Sequence, residues 1–142
     1  MIIIESFIDF PFTSFSLKKW ITLCLKSKGF VLDKISINVI SKDAMLDINK
    51  LYLNHDTHTD VITFDYSCPP KISGEIFISQ FMLQNNSKIF NQTIENELLR
   101  LISHGLLHLL GYMDETELDK QNMTNLEDLF ISMFHVKQFS DV

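Results

Sequence analysis

Strand-like segments alternate with helix-like segments along this 142-residue chain, and their order restricts the folds that it can form. Short runs of β-branched or aromatic residues, each bounded by turn residues, are typical of strands. They lie at Ile2–Glu5, Ile35–Ile40, Val61–Phe64 and Glu75–Ile78. Longer segments with the apolar spacing of helices lie at Ser16–Lys28, Asp43–Tyr52, Gln80–Ile89, Ile94–Leu110 and Glu117–His135. This order predicts an α/β (α+β) fold in which about five helices cover a small mixed sheet of about four strands.

Chain length and composition predict one folded domain over residues 1–142. The chain is 46% hydrophobic and has 4 Gly and 3 Pro, which excludes disordered and collagen-like chains. No apolar run approaches the ~20 residues of a membrane helix, so we expect no membrane partner. The first residues resemble a strand more than a secretion signal, and 2 cysteines make no disulfide framework. We therefore expect a cytoplasmic protein.

Two histidines, His104 and His108, lie four residues apart on the fourth predicted helix. Side chains at this spacing share one face of a helix, ~5–6 Å apart at Cβ, so both rings can bind one cation. Gly111 predicts a left-handed helix end, after which the chain can turn back and bring Asp114 to the same ion. Two histidines and one carboxylate are ligands of catalytic zinc sites, which keep one position open for water. We therefore predict a metal site on this helix and its exit turn.

Gly105, between the two histidines, bears on both the packing and the chemistry of the helix. A glycine inside a helix costs ~1 kcal/mol relative to alanine, so its presence indicates that another group approaches the backbone closely there. Metallopeptidases of the His-Glu-x-x-His kind have their general base at this position, so that mechanism of peptide hydrolysis is disfavoured. Non-haem iron oxygenases also use two histidines and one carboxylate. Because all three ligands here come from one helix and its exit turn, we rank that class last.

The run from His104 to Tyr112 resembles the signature of the YbeY endoribonucleases, which are bacterial rRNA maturation factors and metal-dependent hydrolases. The resemblance covers most of the chain. Further similar segments are Asn49 with Tyr52, Thr59-Asp60-Val61, Gly74-Glu75-Ile76-Phe77-Ile78, and Met123 with Glu127 in the closing helix. Together these segments are specific to the family, whereas each one alone is a weak signal.

The chain departs from the family pattern at two positions. The family usually has a third histidine where this chain has Asp114. Replacing a neutral imidazole by a carboxylate lowers the net charge of a loaded site from about +2 to about +1, which makes bound water less acidic and admits harder metals. The family generally has an arginine where this chain has Leu53, and a leucine cannot perform the role of an arginine.

The resemblance implies a metal-dependent endoribonuclease that cleaves single-stranded RNA in rRNA maturation, including small-subunit rRNA processing and ribosome biogenesis. The ligand set favours Zn²⁺, with Ni²⁺, Mn²⁺ and Fe²⁺ as further candidates. The implied partners are rRNA as substrate and the ribosome, a ribosomal protein or a GTPase for targeting, with neither DNA nor a membrane. The residues leave open whether the nucleophile is water or the 2′-OH of the substrate.

Two other functions remain open on the residues alone. A metallopeptidase-like hydrolase would use the same ligands, although Gly105 disfavours it. A ribosome-assembly protein without catalysis would hold the metal structurally, and the leucine at Leu53 keeps this alternative open. A structural metal site is closed by a fourth protein ligand, whereas a catalytic site keeps a water.

Several other residues are weaker candidates for the site. Arg100 shares a helix stripe with the two histidines, so we predict that it is a phosphate clamp at the mouth of the site. The simpler alternative is an ion pair with Glu97 or another nearby acid. The resemblance places Asp60 near the metal, where it would either fix the tautomer of a ligating histidine or cap a turn. His55 and His58 lie in a polar loop that could contact RNA or metal.

The net charge of −6 limits how the chain can bind RNA. Residues 1–50 carry 7 Lys and 5 acids, whereas residues 51–142 carry 5 basic and 13 acidic groups. Because RNA binding depends on neutralising phosphates, we expect the RNA-binding surface to consist of Lys18, Lys19 and Lys26, on the polar face of the first helix, together with the metal itself. Such a surface makes few phosphate contacts and has a shallow salt dependence. Intrinsic RNA binding is therefore expected to be weak and to rely on the ribosome or a partner.

Overall fold

The structure of the chain is a computed structural model, and it describes residues 1–6, 8–52 and 59–140. The strands are β1 (Ile2–Ser6), β2 (Val31–Ile40), β3 (Val61–Asp65) and β4 (Lys71–Ser79). The helices are α1 (Ser14–Ser27), α2 (Lys42–Tyr52), α3 (Gln80–Ile89), α4 (Ile94–Leu109) and α5 (Glu117–Ser140). Each predicted element is confirmed, although β2 and β4 begin four residues earlier, and α5 ends five residues later, than the sequence indicates. Within the described ranges, no helix combines the length and apolarity needed to cross a membrane.

The described strands form a mixed sheet in the order β1-β2-β4-β3. The neighbours β1 and β2, and likewise β2 and β4, are parallel, whereas β3 and β4 form an antiparallel pair. In this register Ile37 of β2 lies between Ile4 of β1 and Ile76 of β4. Parallel neighbours need crossover connections, and α1 supplies the connection from β1 to β2. The predicted α/β class with a mixed four-stranded sheet is confirmed.

The main core lies on the sheet face that α1 and α4 cover, and α5 packs against these two helices. Alternate side chains of the central strands point to this face, since successive residues of a strand point to opposite faces. The buried set from these strands comprises Ile35, Ile37, Val39, Ile72, Ile76 and Ile78. Trp20 of α1 is 1% exposed, and its Nε1–H donates to the backbone oxygen of Phe130 at 2.7 Å. This hydrogen bond joins α1 to α5 inside the core.

The N-cap and the C-cap of α1 each lie one residue before a residue that the sequence indicates as a cap. The sequence predicts Ser14 or Ser16 as the N-cap, but the cap is Thr13, whose side chain accepts from the backbone N–H of Ser16 at 3.1 Å. A threonine oxygen, like a serine oxygen, can accept from a free N–H of the first turn. The sequence predicts Gly29 as the C-cap, but Lys28 is the cap, and Gly29 follows it with φ +84°. The left-handed residue after the cap is where glycine is favoured.

The opposite face of the sheet carries a polar cleft of about 590 Å³. Its charged lining residues are Glu5, Asp33 and Glu75 with Lys34, so acidic groups predominate. Tyr66 donates its hydroxyl hydrogen to Oε1 of Glu75 at 2.7 Å. An acidic cleft of this kind repels phosphates.

Helix α4 lies close to β4 because Gly105 has no side chain. A Cβ at Gly105 would lie 2.9 Å from Cγ2 and 3.1 Å from Cδ1 of Ile76. The predicted close approach is therefore confirmed, and the approaching group is a core side chain of β4. A second glycine, Gly74 of β4, permits a similar contact, since a Cβ there would lie 2.6 Å from the backbone oxygen of Phe64 and 2.8 Å from Cδ2 of Leu109.

The substitution Gly105→Ala is expected to lower the free energy of unfolding. The added methyl group overpacks the contact with Ile76, which costs ~1–3 kcal/mol. Alanine also gains ~1 kcal/mol over glycine in helix propensity, so the variant is less stable only if the packing cost is larger than this gain. In an Ile76→Ala background, which removes the clashing atoms, we expect Gly105→Ala to be neutral or stabilising. Urea unfolding of the four proteins of this double-mutant cycle measures the difference.

The matched control is Gly29→Ala, because Gly29 has a positive φ but no atom within 4 Å of an added Cβ. Its cost arises from the backbone conformation and is expected to be the same with Ile76 or Ala at position 76. An equal cost of Gly105→Ala in both backgrounds would contradict the packing explanation.

Candidate metal centre

Helix α4 ends just after His108, and the form of this end directs the exit turn. Gly111 has φ +97°, in the left-handed region. The N–H of Gly111 donates to the backbone oxygen of His108, and the N–H of Tyr112 donates to that of Leu107, both at 3.0 Å. This pair of hydrogen bonds is the Schellman pattern of helix ends. The predicted stop at Gly111 is confirmed, and it turns the chain so that Asp114 lies beside the histidines.

The ligand atoms of His104, His108 and Asp114 all lie within 4.8 Å of one another. Nε2 of His104 lies 2.9 Å from Nε2 of His108 and 3.6 Å from Oδ2 of Asp114. The structure thus brings together the three residues that the sequence predicts as ligands. The side chains of His104 and Asp114 are 22% and 35% exposed, so the group opens to solvent on one side.

The Nδ1 atom of each histidine faces an acceptor. Nδ1 of His104 lies 2.6 Å from Oε2 of Glu127, a residue of α5 whose side chain is 8% exposed. Nδ1 of His108 lies 3.1 Å from the backbone oxygen of Tyr112. These partners favour the tautomer with hydrogen on Nδ1 in both rings, which leaves both Nε2 lone pairs for another group.

This geometry fits one divalent cation. Two nitrogens that bind a tetrahedral zinc ion at ~2.0–2.1 Å are about 3.3–3.4 Å apart. The two Nε2 atoms of His104 and His108 are 2.9 Å apart, within a few tenths of an ångström of that value. Two lone pairs that face each other at this distance repel unless a proton or a cation lies between them. Asp114 adds the negative charge that such a cation attracts.

The two histidines differ in the direction of their pKa shifts. Burial lowers the pKa of His104, but the hydrogen bond and the charge of Glu127 raise it more, so this pKa lies above its ordinary value. The pKa of His108 lies below its ordinary value, because burial and the neighbouring His104 both disfavour a second positive charge. His108 is therefore neutral at neutral pH, which leaves its Nε2 lone pair available to another group.

Arg100 is paired with two acids of α5 in this structure. Its Nη1 lies 3.0 Å from Oε1 of Glu127, and its Nη2 lies 2.7 Å from Oδ1 of Asp128. The geometry favours the ion-pair alternative over the phosphate clamp, although the acids are on α5 and not at Glu97. The shared stripe of α4 that carries Arg100 and both histidines is as the sequence predicts. A contact between Arg100 and a phosphate would require at least one of these ion pairs to open.

Asp60 belongs to a polar cluster beside the metal group. Its Oδ2 lies 3.5 Å from Nδ2 of Asn86, and the same nitrogen lies 3.5 Å from Oε2 of Glu97. Among the described residues, the Asp60 carboxylate thus bonds to an amide, and it acts on His104 through its charge, which helps to raise the pKa of that ring. Glu97 is 2% exposed, and its Oε1 has no hydrogen-bond partner among the described residues.

Glu127 is the site residue whose role the sequence reasoning did not identify. It lies 23 positions from His104 on a different helix, so no local spacing connects the two. A signal is nevertheless present, because Glu127 falls on the buried face of α5 between Met123 and Phe130. A carboxylate on an apolar helix face needs a partner. His55, His58 and Leu53 lie outside the described residues.

Comparisons with known proteins give consistent results. The family model described as Endoribonuclease YbeY matches residues 7–135. Proteins named Endoribonuclease YbeY from Flavobacterium johnsoniae and Flavobacterium psychrophilum are each 40% identical over 119 residues, which is 84% of this chain and 86% and 85% of theirs. The solution structure of TM1509 from Thermotoga maritima has a TM-score of 0.66 at 25% identity, covering 99% of this chain and 93% of that one. The similarity thus extends over both sequence and fold.

The buried Glu97 is expected to make the stability of the fold depend on pH. Burial raises the pKa of Glu97, although the hydrogen bond from Asn86 and the charge of Arg100 oppose the rise. The folded state therefore binds a proton at Glu97 more tightly than the unfolded state does. As a result, the free energy of unfolding decreases as pH rises from the pKa of Glu97 in the unfolded state through its pKa in the folded state. The substitution Glu97→Gln removes this titration. Urea unfolding at a series of pH values with a chelator is expected to show a stability difference, Glu97→Gln minus wild type, that increases with pH.

The matched control for this series is Glu95→Gln, at an exposed position of the same helix turn. A difference between Glu97→Gln and wild type that stays constant or decreases as pH rises would contradict the buried, proton-binding carboxyl at Glu97.

Proposed function

The chain belongs to the YbeY endoribonuclease family, and from this we propose that it is a metal-dependent endoribonuclease that cleaves single-stranded RNA in rRNA maturation. Small-subunit rRNA processing and ribosome biogenesis are the proposed setting. The observation that carries the proposal is the convergence of His104, His108 and Asp114, with both Nε2 atoms facing each other and one side open to solvent.

The residues around the site have separate tasks in this proposal. A divalent ion, when bound, supplies a Lewis acid that polarises a phosphoryl oxygen and lowers the pKa of water. His104 and His108 bind it through Nε2, because Glu127 and the backbone of Tyr112 occupy the Nδ1 sides. Asp114 supplies the third ligand and lies on the more exposed side, where the phosphodiester enters.

Three described ligands and an open side favour a catalytic site over a structural one. A structural site needs a fourth protein ligand, and the described ranges contain no fourth His, Cys, Asp or Glu in this group. The peptidase alternative lacks support at Gly105, where Ile76 fills the space that a general base of the His-Glu-x-x-His kind would require. A ribosome-assembly protein without catalysis stays the second candidate and is separated by the first experiment below.

Zn²⁺ is the proposed ion, because the ligand set is that of catalytic zinc sites. The carboxylate of Asp114 also suits Mn²⁺ and Fe²⁺, and imidazoles also suit Ni²⁺. We assign Asp60 to the electrostatics of this site, through its charge near His104. A direct phosphate contact by Arg100, whose side chain is 30% exposed, stays a prediction.

The proposed RNA surface is the outer face of α1. Lys18 and Lys26 are exposed there, and Nζ of Lys19 lies 4.8 Å from the ring centroid of Phe15, which is 68% exposed. An exposed aromatic ring beside lysines suits single-stranded RNA, because bases stack on the ring while the lysines neutralise phosphates. The acidic cleft on the opposite sheet face does not suit it. With few such contacts, we propose that the ribosome, a ribosomal protein or a GTPase provides targeting.

A cytoplasmic location and a single domain over residues 1–142 complete the proposal. Cys24 and Cys68 are both free thiols, one buried and one exposed, which suits a reducing compartment.

The substitution Asp114→Ala is expected to lower bound zinc per chain and rRNA cleavage together. Loss of a residue that only orients a metal ligand lowers metal affinity or activity by ~10–100-fold. Loss of a ligand itself should therefore lower both by more than about 100-fold. The measurements are metal content, cleavage of rRNA and of a peptide, and the chemistry of the product ends. A 2′,3′-cyclic phosphate end would assign the nucleophile to the substrate's 2′-OH and would exclude direct attack by water.

Glu115→Ala is the matched control, since Glu115 is exposed beside Asp114 and belongs to no metal group among the described residues. It should leave metal content and cleavage unchanged. Peptide cleavage by the zinc-loaded protein, or ribosome binding without RNA cleavage, would contradict the proposed endoribonuclease.

The double substitution Lys18→Glu with Lys26→Glu is expected to raise KM for single-stranded RNA and to leave kcat unchanged. For every phosphate that the protein no longer neutralises, the slope of log affinity against log salt should fall by ~0.7. The matched control is Lys71→Glu with Lys120→Glu, which changes charge equally at exposed positions outside α1. An equal rise of KM in both double variants would show that overall charge, and not the α1 face, controls RNA binding.

A further inference from the structure

We propose that Glu127 is a positioning residue of the metal centre: it accepts the Nδ1–H of His104 and thereby directs Nε2 of that ring at the ion. Arg100 acts through Glu127, by holding its second oxygen. This inference rests on the proposed function, because it takes His104, His108 and Asp114 as metal ligands.

The contact between Glu127 and His104 is short and shielded from solvent. Oε2 of Glu127 lies 2.6 Å from Nδ1 of His104, and the Glu127 side chain is 8% exposed. Hydrogen bonds to an ionised acceptor are shorter and about twice as strong as neutral ones. A ring held at Nδ1 in this way cannot rotate freely about its χ angles, so the direction of its Nε2 lone pair is fixed.

The carboxylate of Glu127 is itself held at its other oxygen. Oε1 of Glu127 lies 3.0 Å from Nη1 of Arg100, while Nη2 of Arg100 lies 2.7 Å from Oδ1 of Asp128. Arg100 and His104 are one turn apart on α4, so the carboxylate of Glu127 bridges two side chains of the same helix. Each oxygen of Glu127 therefore has one defined partner, and the plane of the carboxylate is fixed.

The two ligand rings receive different support, which indicates that Glu127 does more than join two helices. His108 donates from Nδ1 to a neutral backbone oxygen at 3.1 Å, whereas His104 has the charged acceptor. A charged acceptor raises the basicity of the ring and strengthens its bond to a metal. Packing of α5 on α4 would be served by the partly buried ion pair of Arg100 with Glu127 alone, without the second contact from Glu127 to His104.

The test measures zinc affinity of the full chain by chelator competition, and Co²⁺ absorption as a probe of ligand geometry. Glu127→Ala is expected to weaken zinc affinity by ~10–100-fold and to change the Co²⁺ spectrum. Glu127→Gln retains an acceptor for Nδ1–H and is expected to recover part of the affinity. The matched control is Asp128→Asn, because Asp128 contacts Arg100 but neither His104 nor His108. The zinc affinity of this variant should lie within about 2-fold of the wild-type value, whereas loss of a residue that orients a ligand lowers affinity by ~10–100-fold.

A purely structural role is excluded by measuring unfolding of the metal-free variants in parallel. Glu127→Gln is close in shape to the wild type and keeps the test valid if Glu127→Ala does not fold. Long-range ¹H–¹⁵N spectra of the zinc-loaded wild type should show His104 protonated at Nδ1 and bound through Nε2. Nδ1 coordination at His104 would overturn the proposal.

Wild-type zinc affinity in both Glu127 variants would overturn the inference and leave the proposed function standing. A wild type that binds neither zinc nor cobalt would overturn the proposed function, and with it this inference. Arg100→Ala is expected to weaken zinc affinity by a few fold. If it lowers RNA cleavage with unchanged zinc affinity, Arg100 acts on the substrate and the part of the proposal that assigns it to Glu127 is overturned.

Discussion

The close contact between Gly105 of α4 and Ile76 of β4 positions the helix on which the site depends. Without a Cβ at Gly105, the helix axis lies nearer to the sheet than an alanine would allow. His104 and His108, on the adjoining stripe of the same helix, then lie at the edge of the core, partly exposed and within reach of α5. The position of α4 therefore determines both the packing of Gly105 against Ile76 on one side of the helix and the placement of His104 and His108 on the other.

Much of the fold is readable from the sequence because its signals are local. Helix ends lie at or beside residues that favour caps, although the sequence indicates a serine where Thr13 caps α1, and strands follow from β-branched runs between turn residues. The early portions of β2 and β4 are not predicted in this way because residues such as Asp33 and Ser73 are polar and on the exposed face. These portions form strands because the backbones of β2 and β4 pair with each other, beginning with Val31 and Lys71. The residue pattern within either strand alone does not predict this pairing.

The contacts of the site residues likewise fall into two groups: those that the local sequence determines and those that tertiary packing determines. The spacing of His104 and His108 and the left-handed Gly111 suffice to bring Asp114 to the histidines, since all of these lie within one helix and its exit. The partners of Arg100 and of the His104 ring come from α5, and only tertiary packing determines them. A buried carboxylate on the apolar face of α5 is the available signal, and it identifies Glu127 as a residue in need of a partner without naming that partner.

The division of the site between α4 and α5 also has a consequence for the order of events during synthesis. Both histidines and Asp114 precede Glu127 in the chain, so they leave the ribosome first. A nascent chain at that stage has the three proposed ligands but lacks the carboxylate that we propose holds one of them in place. Binding of the proposed ion in the orientation seen here therefore requires that α5 has already docked on α4.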